Sequence, residues 1–126
     1  MKRPSIVDCC AVLILALSAS AAAAAPASGD AAKGEGLFKA RCAACHQIGA
    51  NAVGPDLKGV VGRKAGTAPG FGYTPALKRL GGLWTPAALE VFLRDPSAKA
   101  PGTAMPISVQ EPEARADLIA YLARSR

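Results

Sequence analysis

The chain has 126 residues, enough for one domain, and aromatic residues make up only 5% of them. Its formal net charge of +6 is moderately basic and suits acidic partner surfaces. No block of lysine and arginine with interleaved aromatic residues occurs, which argues against nucleic-acid binding.

The first 25 residues are predicted to be a secretory signal peptide. The positive start MKRP precedes the apolar run AVLILAL, and the stretch SASAAAAA offers several A-x-A cleavage sites. An uncleaved membrane anchor is the less favoured alternative, because the stretch 11–25 is shorter than the ~18 apolar residues of a spanning helix. We therefore expect a cleaved leader, 1–25, and a single periplasmic domain, 26–126, that no longer contains Cys9 and Cys10.

Three helices are predicted in the exported part, in an all-α fold. The first runs from about Asp30 to Arg41. The second begins at Thr85-Pro86, where threonine can cap and proline can take the first helical position, and it ends before Pro96. The third lies within Glu111 to Arg124, and the sequence SVQE at 108–111 matches a capping box.

Glycine is placed unusually in this chain. Gly34 and Gly36 lie inside the first predicted helix, where each costs about 1 kcal/mol relative to alanine. A close approach of another backbone would explain that cost. Nine more glycines and three prolines fall within 49–82, a stretch with little periodicity. So long an irregular segment is uncommon in a compact domain unless it wraps something.

The sequence CAACH concentrates soft-ligand chemistry at one place. Cys42 and Cys45 lie about 60° apart around a helical turn, so both thiols can meet the two vinyl groups on one edge of a porphyrin. His46 is placed to bring its imidazole beneath the iron, and C-x-x-C-H is the attachment signature of a c-type haem. Zinc is a weaker interpretation, because a structural site needs about four protein ligands and only three are present. A disulfide closing so short a loop would stabilise little.

Met105 is the candidate for the sixth iron ligand. Apart from Met1 it is the only methionine, and 26–126 contains no other histidine and no further cysteine. The alternative is that Met105 simply fills space in the core. Its setting, PGTAMP, is a stiff loop that holds one side chain in place, which favours iron ligation.

Several motifs occur together in an order that is typical of one family. CAACH, GPDLKGVVGRKAG, APGFGYTPAL, PGTAM and LIAYL resemble the class I c-type cytochromes, in particular the mitochondrial and bacterial electron carriers. The resemblance covers about 29–122. It implies a cytochrome c fold, in which crossing N- and C-terminal helices, short helices and long loops surround one covalent haem c.

The resemblance also implies roles for individual residues. The Pro55 carbonyl would accept the His46 Nδ1–H, and Thr103 would orient groups beside Met105. The residues implied to hydrogen-bond or neutralise the haem propionates are Arg63, Tyr73 and Trp84. The residues implied to line the haem pocket are Phe38, Phe71, Leu89, Phe92 and Leu93. Where the terminal helices cross, Gly34 and Phe38 would pack against Leu118 and Tyr121.

The chain departs from the family pattern inside and outside. Phe92 stands where the family often has a tyrosine that reaches the methionine sulfur, and Leu77 where an asparagine often contacts internal water. Both changes should dry the pocket and alter the reduction potential. The family usually rings the exposed haem edge with lysines, whereas the matching positions here include Ser97, Ala98, Ala104, Gln110 and Glu111.

The implied function is that of a soluble, monomeric one-electron carrier with His46 and Met105 on the iron. It would take electrons from a redox complex such as a quinol–cytochrome c reductase and pass them to a terminal oxidase or a photosynthetic reaction centre, meeting the membrane only through these partners. Two strong axial ligands leave no open position for a substrate, so we expect no enzymatic activity. An enzyme or sensor with Met105 off the iron is one alternative, and a subunit of a larger oxidoreductase is another.

Overall fold

The computed structural model describes residues 28–126, and helices account for its regular structure. The described helices are α1 Ala31–Arg41, α2 Pro75–Leu80, α3 Pro86–Arg94, α4 Pro96–Lys99 and α5 Pro112–Arg124. The extended pairing within this part of the chain is an isolated bridge between Lys64 and Leu83. The all-α prediction is therefore confirmed, whereas the predicted signal peptide lies outside the described residues.

Side-chain caps fix where three of the helices begin. The Asp30 carboxylate accepts hydrogen bonds from the backbone N–H groups of Ala32 and Lys33 at the start of α1, at 2.9 and 3.2 Å. These hydrogen bonds, with that of Lys33 the larger cause, hold the pKa of Asp30 below its ordinary value of 3.8. Thr85 Oγ1 accepts from the backbone N–H of Ala88 in α3 in the same way. The Asp95 carboxylate caps α4 by accepting from the Ala98 N–H.

Two short helices were not predicted from the sequence. α2 interrupts the stretch 49–82 that we expected to be irregular, and α4 follows α3 after one residue. Both carry a proline at the first helical position, directly after Thr74 and Asp95 respectively. The Thr74-Pro75 pair repeats the signal that correctly located the start of α3, so α2 could have been predicted.

The capping box predicted before the last helix is wrong. α5 begins at Pro112, and Glu111 precedes it without a side-chain capping hydrogen bond. Ser108 Oγ instead accepts a hydrogen bond from the Gln110 side chain at 3.1 Å. Proline lacks an N–H and fits the first helical position, so the helix begins four residues beyond Ser108 rather than one.

The terminal helices α1 and α5 cross in close contact, as expected for the fold. A Cβ at Gly34 would overlap the Asp117 carbonyl oxygen of α5 and lie 2.9 Å from the Tyr121 Cβ. The rings of Phe38 and Tyr121 meet beside this point, with centroids 5.3 Å apart. Gly36 has nothing within 4 Å of an added Cβ, so the close-approach explanation holds for Gly34 and is wrong for Gly36.

The core lies between this crossing and α3. Leu118 of α5 is 1% exposed, and the Trp84 and Phe92 rings pack with centroids 4.9 Å apart. No helix within 28–126 has the length and apolar character needed to cross a membrane.

Candidate functional site

The two cysteines and the histidine lie on one turn that continues directly from α1. The backbone N–H groups of Cys42 and Ala43 both donate to the Phe38 carbonyl, at 2.8 and 2.9 Å. Those of Cys45 and His46 then donate to the Cys42 carbonyl, at 3.0 and 2.9 Å. Cys42 and Cys45 are half-buried free thiols three positions apart on this turn. The helix therefore delivers both thiols and the imidazole to one region of the molecule.

The state of the Cys42 thiol bears on the zinc alternative. Burial raises the pKa of Cys42 above its ordinary value of 9.0, against the opposing charge of Arg41. A metal that bound this thiol would have to displace its proton, and burial makes that step more costly. Among residues 28–126, no group of three or more His, Cys, Asp or Glu side chains is arranged to hold a metal ion. This donor set does not fit a structural zinc site.

The His46 imidazole is held from two sides. Its Nδ1 lies 2.9 Å from the Pro55 carbonyl oxygen, which can only accept, so Nδ1 carries a proton and Nε2 is the nitrogen that has the free lone pair in the neutral imidazole. Gly54 packs against the ring: a Cβ there would lie 2.6 Å from Nδ1 and 2.8 Å from Nε2. Sequence reasoning missed Gly54, although it directly precedes Pro55. The imidazole is thus fixed in the orientation and tautomer that a metal ligand requires.

A polar network holds the loop that carries Pro55. Asn51 Oδ1 accepts from the Asp56 N–H at 2.9 Å, and Asn51 Nδ2 donates to the Pro69 carbonyl at 2.8 Å. Asp56 Oδ1 accepts from the N–H groups of Lys58 and Gly49, both at 2.7 Å, and these hydrogen bonds lower the pKa of Asp56. Because both side chains use more than one hydrogen bond, the Pro55 carbonyl has a defined position.

Of the three residues predicted to bind the haem propionates, two are joined by a backbone hydrogen bond. The Trp84 N–H donates to the Arg63 carbonyl at 2.8 Å, which joins these two residues. The Arg63 guanidinium donates to the carbonyls of Asp56 and Lys58, at 2.7 and 3.0 Å. Tyr73 Oη accepts from the backbone N–H of Ala68 at 3.1 Å, which leaves its own hydrogen free to donate.

Two buried polar atoms in this region have no protein partner. They are Arg63 Nε and Thr74 Oγ1. A buried donor left unpaired costs free energy, and such atoms are rare in native proteins. Both can donate a hydrogen bond, so an anionic oxygen such as that of a propionate fits them as a partner. Thr74 was missed from the sequence, where it appears only as a residue before proline.

Met105 lies in the loop between α4 and α5. Its side chain is half-buried against the hydrophobic core, and its backbone N–H is 3.3 Å from Thr103 Oγ1. The loop turns at Gly102, whose φ of +92° favours glycine. Thr103 therefore contacts the Met105 backbone, and its role in orienting groups beside the Met105 side chain stays a prediction.

The predicted pocket-lining residues lie in three places. Leu89, Phe92 and Leu93 are buried on α3. Phe71 is half-exposed and packs edge-on against Tyr73, with ring centroids 4.8 Å apart. Phe38 is buried at the α1–α5 crossing.

These residues fit a haem. The two thiols match the vinyl groups of a haem, and the imidazole Nε2 matches its iron. The two buried unpaired donors match its propionates.

Comparison with known proteins agrees with this chemistry. A sequence model of the family described as cytochrome c matches residues 31–125. The chain is 48% identical to a cytochrome c2 from Agrobacterium tumefaciens over 101 residues, covering 75% of this chain and 90% of that protein. It is also 48% identical over 97 residues to the c-type cytochrome cy of Rhodobacter capsulatus, but there it spans only 49% of that protein and 75% of its own length.

Solved structures show the same likeness. Cytochrome cH from Methylobacterium extorquens is 49% identical with a TM-score of 0.72, covering 75% of this chain and 98% of that one. A cytochrome c2 from Rhodopseudomonas palustris is 39% identical with a TM-score of 0.71, covering 77% and 99%. The chain therefore belongs to the cytochrome c family, with a cytochrome c fold and one covalent haem c at Cys42 and Cys45, and it is an electron-transfer protein rather than an enzyme.

Proposed function

We propose that this chain is an exported, soluble one-electron carrier whose haem iron is ligated by His46 and Met105. The observation that carries the proposal is the His46 imidazole, protonated at Nδ1 towards Pro55 and free at Nε2. Met105 supports it as the only methionine within 26–126, on a loop whose backbone contacts Thr103.

Several residues of the site contribute to electron transfer in this proposal. When bound, the haem supplies a one-electron ferric–ferrous couple, and thioether ligation favours the ferrous state. The Pro55 carbonyl keeps the imidazole of His46 in one orientation, so the ligand does not reorganise between oxidation states. Arg63 and Thr74 offer buried donors to the propionates, and the apolar side chains of α3 exclude water.

The surface near Met105 supports docking with little charge. Ala104, Ile107 and Gln110 are exposed around this loop, and the nearby Arg41 guanidinium is paired with the Glu111 carboxylate at 3.4 Å. We expect electron transfer to partners, such as a quinol–cytochrome c reductase and a terminal oxidase or reaction centre, to depend weakly on salt. Stopped-flow electron transfer at several ionic strengths measures this. A steep fall in rate with salt would contradict a neutral docking face.

The visible spectrum of the oxidised protein tests the iron ligation. Methionine sulfur on ferric haem gives a weak red charge-transfer band, which should be present in the wild type and absent from Met105→Ala. Ile107→Ala is the matched control, because this exposed side chain lies on the same loop and should leave the band unchanged. If the wild type lacks the band and carbon monoxide binds readily to its reduced form, the sixth position is open and the proposal fails.

Export is tested on the native protein. We expect the mature chain in the periplasmic fraction, beginning at Pro26 after cleavage of 1–25. Intact-mass measurement and N-terminal sequencing distinguish this outcome from retention of the leader as an anchor, which would put the protein in the membrane fraction.

A further inference from the structure

Arg115 is the one charged side chain that is fully buried among residues 28–126, at 4% exposure. It lies on α5, and three hydrogen bonds use three of the five N–H groups of its guanidinium. Nε donates to the Glu90 carboxylate of α3 at 2.7 Å, and Nη1 donates to the carbonyls of Val109 and Gln110, at 2.7 and 2.8 Å. We call Arg115 with these three acceptors the Arg115 clamp.

The two carbonyls belong to the end of the loop that carries Met105. Val109 is 1% exposed, and its N–H donates to the Leu93 carbonyl at 2.8 Å. The Gln110 side chain donates to the Arg94 carbonyl at 3.0 Å. The end of the loop is therefore tied to the C-terminal end of α3 from one side and to α5 from the other.

The middle of the loop has little support of its own. Ala104, Pro106 and Ile107 are exposed. Among the described residues, the hydrogen bond that this part of the loop makes is a long one, 3.3 Å from the Met105 N–H to Thr103 Oγ1. At its upstream end the loop is anchored by a hydrogen bond of 2.9 Å from the Thr103 N–H to the carbonyl of the buried residue Ala100. The position of Met105 therefore depends on the two ends of the loop. The clamp holds the downstream end together with the two hydrogen bonds to α3 and with Arg41, which donates to the Ser108 carbonyl at 3.3 Å.

The Glu90 carboxylate determines whether the Arg115 guanidinium stays turned towards the loop carbonyls. A buried guanidinium requires acceptors, and within residues 28–126 the Glu90 carboxylate is the charged group with which it forms an ion pair. The Glu90 side chain is itself 38% exposed, whereas that of Arg115 is 4% exposed. Without the carboxylate, the guanidinium gains by turning towards water, and this movement weakens its hydrogen bonds to Val109 and Gln110.

We propose that Glu90 and Arg115 form a positioning pair that holds Met105 at the haem iron and sets how often the methionine leaves it. Neither residue touches the iron: both act through the carbonyls at the end of the Met105 loop. The inference rests on the proposed ligation by Met105. It assigns to this pair the control of access to the sixth coordination position.

Exogenous imidazole reports this access, because it binds the ferric iron only when Met105 has left. Its apparent dissociation constant varies inversely with the fraction of protein in the open state. Glu90→Gln replaces a charge-assisted hydrogen bond with a neutral one, so we expect the ferric holoprotein to bind imidazole about fivefold more tightly. Glu90→Asp keeps the carboxylate and should lie between the wild type and Glu90→Gln. Arg115→Lys keeps the charge but loses the second hydrogen bond to the loop, and it should also bind imidazole more tightly.

Two controls separate positioning from general loss of stability. Glu35→Gln removes the carboxylate of the exposed pair with Lys39 on α1 and should leave imidazole binding unchanged. Asp30→Ala removes the α1 cap, so it should lower the unfolding midpoint and leave imidazole binding unchanged. Unchanged imidazole affinity in both Glu90→Gln and Arg115→Lys, with the red band present in the wild type, would overturn the positioning pair. A wild type without the band would instead reject ligation by Met105.

Discussion

The contact between Gly54 and the His46 ring makes Gly54→Ala a direct test of how the axial imidazole is held. The added Cβ would lie 2.6 Å from Nδ1 and 2.8 Å from Nε2, whereas ordinary contacts of this kind are about 3.5 Å or longer. Something must therefore move by about 1 Å. Gly54 is tethered by its N–H, which donates to the Cys45 carbonyl at 2.7 Å, so the imidazole is the group that yields.

The cost follows from what the imidazole then loses. Overpacking costs about 1–3 kcal/mol, and the hydrogen bond from His46 to Pro55 contributes about 1 kcal/mol. We expect Gly54→Ala to lower the free energy of unfolding of the ferric holoprotein by about 2–4 kcal/mol. The reduction potential should rise, because an imidazole without its Nδ1 hydrogen bond is a weaker base and stabilises ferric iron less.

Guanidinium unfolding and redox titration measure both effects. Gly72→Ala is the matched control, because an added Cβ at Gly72 meets nothing within 4 Å and its φ is not positive. This control should change the free energy of unfolding by less than ~1 kcal/mol. A Gly54→Ala protein that unfolds and titrates like the control would refute the conclusion that the backbone holds the ring.

Three further predictions concern the helix crossing, the α1 cap and the buried hydroxyl. Gly36→Ala should raise the free energy of unfolding by about 1 kcal/mol, whereas Gly34→Ala in the same helix should lower it by about 2 kcal/mol or more. Equal effects of the two substitutions in thermal unfolding would exclude a close approach of the α5 backbone to Gly34. Because the pKa of Asp30 is lowered in the folded protein, its carboxylate stabilises the fold above pH 3.8, and this contribution is lost as the pH falls through the native pKa. In Asp30→Asn, the guanidinium unfolding midpoint should therefore fall less steeply as the pH is lowered. An acid dependence equal to that of the wild type would contradict this. Thr74→Val should cost the holoprotein about 1.5–3 kcal/mol in guanidinium unfolding if its hydroxyl bonds a propionate, and a neutral result would show that it does not.

The helices were predicted correctly where local sequence signals agreed with the way in which the chain packs. α1, α3 and α5 carry caps or apolar stripes and were located within a residue or two. α2 was missed because surrounding glycines hid its threonine–proline start, and α4 because Pro96 was interpreted only as the end of α3. The capping box failed because a sequence match does not show where the helix begins, which Pro112 decided.

The site divides in a similar way. The cysteines and His46 follow from a compact motif, and the proposal of Met105 as a ligand follows by elimination, because 26–126 contains no other methionine or histidine and no further cysteine. Gly54 and Thr74 were invisible, since their importance comes from contacts that loops make in three dimensions. The Arg115 clamp joins residues 25 positions apart on two helices, and no spacing rule in the sequence indicates such a pair.

The crossing of α1 with α5 also constrains when the molecule can close. The Asp30 N–H donates to the Asp117 carboxylate, 87 residues further along the chain. During synthesis, α1 and the cysteine turn that follows it are therefore made long before the helix against which they pack. Until α5 has been made, α1 has no partner, and a helix of 11 residues is marginal by itself. The cysteine-bearing turn therefore follows a helix that lacks its packing partner until α5 is present, which leaves both thiols accessible in the incomplete chain.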